Sequence, residues 1–200
     1  PTLGQIWYNT TSNTLKGSVF QSTGSWETGG NLGTASLDGA SAGTQTAAIY
    51  AGRVTGAGNY TNTSEKYDGT SWTATPGLNT ARRGGTGIGT QGASSVVAGQ
   101  SGPGVVTAAV ENFNGSSWTA GPSINTARRS LGSSASGSQT AMIVFGGTPS
   151  GTATESWNGS SWTAVTALST SRLALGGAGT QTSALAFGGE APPHSNATEE

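Results

Sequence analysis

Phe113-Asn114-Gly115-Ser116-Ser117-Trp118 recurs almost unchanged as Tyr67-Asp68-Gly69-Thr70-Ser71-Trp72 and as Trp157-Asn158-Gly159-Ser160-Ser161-Trp162. Three of the six tryptophans in the chain therefore close the same small cassette. An aromatic residue, an Asn-Gly or Asp-Gly step and a second aromatic read as a β-hairpin, because both turn residues tolerate positive φ. Aligned on Trp26, Trp72, Trp118 and Trp162, successive copies are 46, 46 and 44 residues apart.

Other landmarks keep step with the tryptophans. A glutamate precedes the cassette at Glu65, Glu111 and Glu155. An arginine follows it in Asn79-Thr80-Ala81-Arg82-Arg83, in Asn125-Thr126-Ala127-Arg128-Arg129 and, degenerate, in Ser169-Thr170-Ser171-Arg172. A Gly-Thr/Ser-Gln turn comes next, at Gly43-Thr44-Gln45, Gly89-Thr90-Gln91, Gly137-Ser138-Gln139 and Gly179-Thr180-Gln181, each leading into an apolar run. A unit then reads as four short strands. Strand a follows the arginine, as in Ser130–Ser134, and strand b follows the glutamine, as in Ala141–Phe145. A variable loop leads to strand c, which carries the glutamate, and strand d opens at the cassette tryptophan. Four-stranded units of about 45 residues imply an all-β propeller, whose blades bury their faces only by stacking on one another.

Composition agrees. The chain has 34 glycines, only 8% charged residues, a formal net charge of −1 and no cysteine. Low charge argues against both solvated helices and ordinary disorder. The near-neutral balance excludes a basic field for nucleic acid. The missing cysteines exclude disulfides, thiolate chemistry and Cys-ligated zinc. No apolar run reaches the ~20 residues of a membrane helix. A start at Pro1 without methionine reads as the middle of something longer.

An apolar strand ending in Gly-Gly, then Glu-x-aromatic-Asp/Asn-Gly, then Trp, then Arg resembles the kelch repeat over residues 34–200, with a weaker match from Leu15 to Trp26. The pattern departs at Ala98-Gly99 and Gly52-Arg53, where Gly-Gly is incomplete. The resemblance implies a kelch-like β-propeller with units 34–79, 80–125, 126–169 and an incomplete 170–200. Residues 15–33 read as a split c–d hairpin. Strands a and b near Arg172–Gly189 pairing with Leu15–Trp26 would complete a four-bladed ring; a longer parent chain with a larger or partial ring is the preferred alternative. Thr198-Glu199-Glu200 matches Thr154-Glu155-Ser156, so the chain stops where another cassette is due.

Trp26, Trp72, Trp118 and Trp162 read as inter-blade packing rather than as sugar platforms, because a ligand site rarely needs one identical residue per blade. Arg82, Arg128 and Arg172, with Glu65, Glu111, Glu155 and Glu199, read as structural pairs or backbone-bonding groups rather than catalytic carboxylates, since catalysis needs one asymmetric constellation. Alternation turns Arg83 and Arg129 to the opposite face, towards the axial channel or a rim. His194, the only histidine, cannot build a histidine-rich metal site. Galactose-oxidase-like propellers resemble the repeat, yet the Cys and His their copper chemistry needs are missing. Gly84–Gly89 has dinucleotide-like spacing without a βαβ context and reads as strand and turn glycines. No enzyme activity, cofactor or metal is expected.

The segment Leu3–Lys16 reads as a separate N-terminal hairpin or connector, residues 1–14. Its Gly-x-Ile-Trp-Tyr-Asn-Thr…Leu-Lys pattern resembles hairpin modules of tailed-bacteriophage fibre and virion proteins. That resemblance implies a structural and adhesion module of a tail or capsid fibre, extracellular on the virion. Its implied partners are other virion proteins, a host glycan or surface protein, and copies of itself in a trimer. The alternative is a secreted or surface bacterial module binding carbohydrate or protein. Contact is expected in the variable b–c loops, Arg53–Asn62, Gln100–Val106, Thr148–Thr154 and Glu190–Ala197, with Tyr60, Asn62, Gln100 and His194 as candidate residues.

Overall fold

The computed structural model describes residues 6–9 and 14–17 as backbone, and residues 28–191 and 194–200 in full. Trp26 and the larger part of the expected 15–33 hairpin lie outside the described residues. At the N-terminus β1 (Ile6–Asn9) pairs antiparallel with β2 (Thr14–Gly17). The second strand of the connector thus runs to Gly17, past the expected boundary at residue 14.

The rest is four small antiparallel sheets set around a common axis, a four-blade β-propeller arrangement with no helix among the described residues. Blade 1 holds β3 (Ser36–Leu37), β4 (Ala40–Thr44), β5 (Ala47–Thr55), β6 (Tyr60–Tyr67) and β7 (Trp72–Thr75). Blade 2 holds β8 (Thr86–Thr90), β9 (Ala93–Gly102), β10 (Val105–Phe113) and β11 (Trp118–Gly121). Blade 3 holds β12 (Gly132–Ser133), β13 (Met142–Phe145), β14 (Thr154–Trp157) and β15 (Trp162–Ala164). Blade 4 holds β16 (Gly176–Thr180), β17 (Ser183–Phe187) and β18 (Thr198–Glu199). In blade 4 it is β18, not the N-terminal segment, that pairs with strand b as strand c.

The cassette is a hairpin, but not the two-residue turn its dipeptide suggests. Tyr67 pairs with Trp72, Phe113 with Trp118 and Trp157 with Trp162, which leaves four residues in each loop. Only the glycines take positive φ, 95° at Gly69, 96° at Gly115 and 94° at Gly159. Asn114 acts through its side chain: Oδ1 accepts from Ser116 N–H (3.0 Å) and Ser117 N–H (2.9 Å), and Asn158 and Asp68 do the same. The short acceptor side chain thus shapes the loop that the extra two residues lengthen.

The paired aromatics stack at a tilt, with ring centroids 4.9 Å apart at Phe113–Trp118 and 5.4 Å at Trp157–Trp162. Trp118 packs between its own blade (Val96, Phe113) and blade 1 (Ile49, Ala51, Leu78). Trp162 packs likewise with Met142, Val144 and Trp157 against Ile88, Val97 and Ile124 of blade 2, and its indole N–H donates to Pro122 O at 3.0 Å. Trp72 is half buried. Near the axis the strands touch backbone to backbone: a Cβ at Gly87 would come within 2.3 Å of Ser41 O, and one at Gly177 within 2.2 Å of Ser133 O. That close approach is what the glycines of strand a permit.

Candidate functional site

A repeated polar framework fixes each blade. Glu111 Oε2 accepts from Asn79 N–H (2.6 Å) and Asn79 Nδ2 (2.7 Å), while Oε1 accepts from Arg82 Nη2 (2.7 Å). Arg82 Nη1 donates to Ala109 O at 2.9 Å. Glu155 repeats the set with Asn125 N–H (2.6 Å) and Arg128 Nη2 (3.0 Å), and Glu199 with Ser169 N–H (2.7 Å) and Arg172 Nη2 (2.5 Å). The glutamate on strand c therefore clamps the connector that arrives from the preceding blade. The side chains of Arg128 and Glu155 are 0% and 2% exposed, so neither is available to a ligand. Burial pulls the Arg82 and Arg128 guanidinium values down, opposed by Glu111 and Glu155 respectively.

Blade 1 departs from the pattern in an instructive way. Glu65 still accepts the connector N–H, here from Gly33 at 2.8 Å. Its cation, however, is Arg53 from strand b, bonded through Nη2. The position equivalent to Arg82 holds Ser36, and Arg53 replaces the second glycine of the Gly-Gly step. Arg53 thus belongs to the buried framework and not to a contact loop. Burial pushes the Glu65 carboxyl up, but the Gly33 N–H and Arg53 outweigh it and hold the group below its ordinary value. Glu199 is also held low, by the Ser169 N–H first, against some burial, and by Arg172.

Sequence reading treated the Gly-Thr/Ser-Gln glutamine as a turn marker, but it is an inter-blade clasp. Gln91 Nε2 donates to Ala48 O (3.1 Å) and Tyr67 O (2.6 Å) of blade 1. Gln139 Nε2 donates to Ser94 O and Phe113 O of blade 2, both at 2.7 Å. Gln181 Nε2 reaches Trp157 O and Ser156 Oγ of blade 3. Its recurrence in register was the available signal.

With the framework accounted for, the non-repeating chemistry lies on the rim formed by the b–c connections. Backbone bonds tie that rim from blade to blade: Gly84 N–H to Asp38 O (2.7 Å), Ser130 N–H to Gly84 O (2.7 Å) and Ala174 N–H to Ser130 O (2.8 Å). Arg83 faces away from buried Arg82, bridges to Asp38 at 3.2 Å and lies 5.4 Å from the centre of the Tyr60 ring. Arg129 is half buried, its backbone paired with Thr148. The first two loops are shorter than expected, residues 56–59 and 103–104, because strands b and c extend further. The other two are longer, between β13 and β14 and between β17 and β18.

Of the four candidate contact residues, Tyr60 is half buried at the rim and His194 is exposed. Gln100 is a correction: it is 6% exposed within β9, its backbone bridged to Arg83. Asn62 is exposed within β6; its Nδ2 donates to Leu78 O (2.8 Å) and its backbone carbonyl accepts from Leu78 N–H (2.7 Å), which pins the connector to blade 2. Along the axis, a cavity of about 230 Å³ is bordered by Ser41, Thr86 and Ser133, with the last two hydroxyls 2.7 Å apart. Among the described residues no group of three His, Cys, Asp or Glu side chains could hold a metal ion. The rim offers hydroxyls, loop amides, a tyrosine face, the exposed Val105 and two guanidinium groups.

Comparison of the sequence with protein-family models and with curated proteins gave no match. The functional reading therefore rests on the repeat and the geometry.

Proposed function

We propose that the chain is a non-enzymatic adhesion module in which a kelch-like propeller holds variable loops for attachment to a host surface, as part of a bacteriophage tail or capsid fibre. The observation that supports this reading is the division of labour within each unit. The residues that repeat (Glu, Arg, Gln, Trp) are spent on buried blade-to-blade contacts. The residues that do not repeat sit together on one rim. A rigid scaffold carrying irregular surface loops suits recognition more than chemistry. Uncharged hydroxyls and amides, with Tyr60 and Arg83 as a stacked pair, suit sugar hydroxyls or a polar protein surface.

The experiment is binding of the fluorescently labelled chain to intact bacterial cells and to purified lipopolysaccharide and capsular polysaccharide. Replacing residues 56–59 and 150–152 with Gly-Ser should abolish binding while the folded far-UV signal persists. Binding unchanged in that variant, or polysaccharide turnover by the chain alone, would refute the reading. Co-purification with virions separates a fibre from a secreted bacterial module.

A further inference from the structure

Two neighbouring junctions on the rim share one geometry and differ in chemistry. Arg129, Gly84 and Val106 each stand 46 residues after Arg83, Asp38 and Tyr60. Strand pairing agrees, since Tyr60 lies opposite Val54 in β5 and Val106 opposite Gln100 in β9. The backbone bonds repeat as well, Gly84 N–H to Asp38 O and Ser130 N–H to Gly84 O. At the junction of blades 1 and 2, Asp38 takes the charge of Arg83 at 3.2 Å and the Tyr60 ring lies beside it. At the junction of blades 2 and 3, Gly84 has no carboxylate to offer and Val106 no aromatic face. Arg129 stands next to them: a Cβ at Gly84 would lie 3.7 Å from Arg129 Cβ.

Two unmet polar demands meet at this second junction. Among the described residues, ion pairs engage Arg53, Arg82, Arg83, Arg128 and Arg172, which leaves Arg129 as the arginine without a carboxylate. Its guanidinium is open to solvent. Gln100, the cross-strand neighbour of Val106, is 6% exposed, and its Oε1 is buried without a donor. By the register that sets Tyr60 beside Arg83, the Gln100–Val106 pair lies beside Arg129. Arg129 can only donate, and Gln100 Oε1 can only accept. A ligand that answers both carries an anionic acceptor and a hydroxyl donor on one small body. A sugar acid has this chemistry: its planar carboxylate matches the guanidinium fork, and its ring hydroxyls can donate. Its C–H face suits Val106 and the exposed Val105. Acetate meets only the first demand and a neutral sugar only the second.

We propose that the rim junction of blades 2 and 3 binds an acidic sugar, a hexuronate unit of a surface polysaccharide, through its carboxylate on Arg129 and a ring hydroxyl on Gln100 Oε1. The assignment rests on the reading of the rim as the attachment surface and names the ligand chemistry of that surface. Arg83 takes no part, because Asp38 already holds it. The molecule thereby suggests its own competitor. Gly84→Asp places at the second junction the carboxylate that Asp38 supplies at the first. The backbone accepts it, since φ is 62° at Gly84 and 60° at Asp38 itself, and an added Cβ meets its neighbours at ordinary contact distance. Gly84→Asn is the uncharged match.

The test is NMR of the isotope-labelled chain, following the Arg129 Nε–H and the Gln100 side-chain amide, assigned through Arg129→Gln and Gln100→Met. Sodium glucuronate is titrated against sodium acetate, methyl glucoside and sodium chloride. Glucuronate should shift both signals saturably and leave Arg83 Nε–H in place; acetate should move Arg129 alone, and chloride neither. Gly84→Asp should weaken glucuronate binding about tenfold or more, the worth of one hydrogen bond to a charged group, while Gly84→Asn keeps most of it. No saturable shift, a response to acetate, chloride or methyl glucoside equal to that of glucuronate, or equal weakening in both Gly84 variants would overturn the proposal. Cell attachment is read separately. Attachment undiminished in Gly84→Asp would sink the sugar-acid site and leave the adhesion reading standing. Glucuronate shifts without any attachment by the unaltered chain would keep the site and sink the adhesion reading.

Discussion

Replacing Glu155 by Gln removes one charge from the most enclosed ion pair among the described residues. Arg128 Nη2 would keep a neutral partner at best, and its guanidinium is fully buried. The carboxylate also accepts from Asn125 N–H, Asn125 Nδ2 and Thr126 N–H, so the incoming amide NH₂ must face at least one donor. Breaking a buried pair by altering one partner costs about 3–5 kcal/mol. A domain of this size is worth roughly 5–15 kcal/mol in all, and each kcal/mol moves the melting point by about 2–4 °C. Glu155→Gln should therefore lower Tm by about 6–20 °C. The partner variant Arg128→Met should cost a similar amount, and the double variant well short of the sum, because the second change removes the charge that the first left stranded. Urea melts followed by far-UV circular dichroism and tryptophan fluorescence give all three values. A cost below about 1 kcal/mol for Glu155→Gln, or additive costs in the double variant, would refute the claim that these residues act as a buried structural pair.

Gln139→Ala should cost about 1–3 kcal/mol, since it strands Ser94 O and Phe113 O at the interface between blades 2 and 3; a neutral result in the same melts would remove the clasp from the account. Arg53→Gly should destabilise blade 1, and adding Ser36→Arg should restore part of the loss by returning the cation to the place it holds in the other units; no recovery in urea midpoint would count against the substitution of one arginine for the other. Glu65 and Glu199 both have folded-state values below the ordinary 4.5. Their stabilisation is fully present above the unfolded value and is lost as pH falls through 4.5 towards the folded values, so urea midpoints should drop on acidification in that window. A midpoint that rises there would contradict the direction of both shifts. Trp162→Ala should cost about 3–5 kcal/mol through the cavity left between blades, measurable as a lost unfolding midpoint without loss of cell binding if the tryptophan is scaffold only.

Much of this architecture was legible because a propeller writes the same physical demands once per blade. The tryptophan spacing fixed the unit, and period-2 strands between Gly-rich turns fixed its content. The Glu–Arg pairs were legible as structural because they repeat. What was hidden depended on geometry that no single unit spells out. Gln139 looks like a turn residue until the preceding blade is placed beside it. Arg53 reads as a loop residue because its partner Glu65 is reached only once strands b and c pair. Gln100 looked exposed because the length of β9 is set by pairing with β10, which carries the hairpin out to Gly102 and buries it. The Asn-Gly step overstated the tightness of the turn, since the two serines that follow it belong to the loop. The rim was legible only as the place where repetition fails, which is why the proposed attachment surface is placed there.

The central claim is that Trp118 and Trp162 are sealed between blades, which leaves the proposed recognition to the rim. Fluorine NMR of the chain labelled with 5-fluorotryptophan tests this directly, with resonances assigned through Trp72→Phe, Trp118→Phe and Trp162→Phe. The account predicts no solvent isotope shift between H₂O and D₂O at Trp118 and Trp162 and a partial shift at Trp72. Full shifts at Trp118 and Trp162 would make them an exposed row of aromatic platforms and would contradict the account.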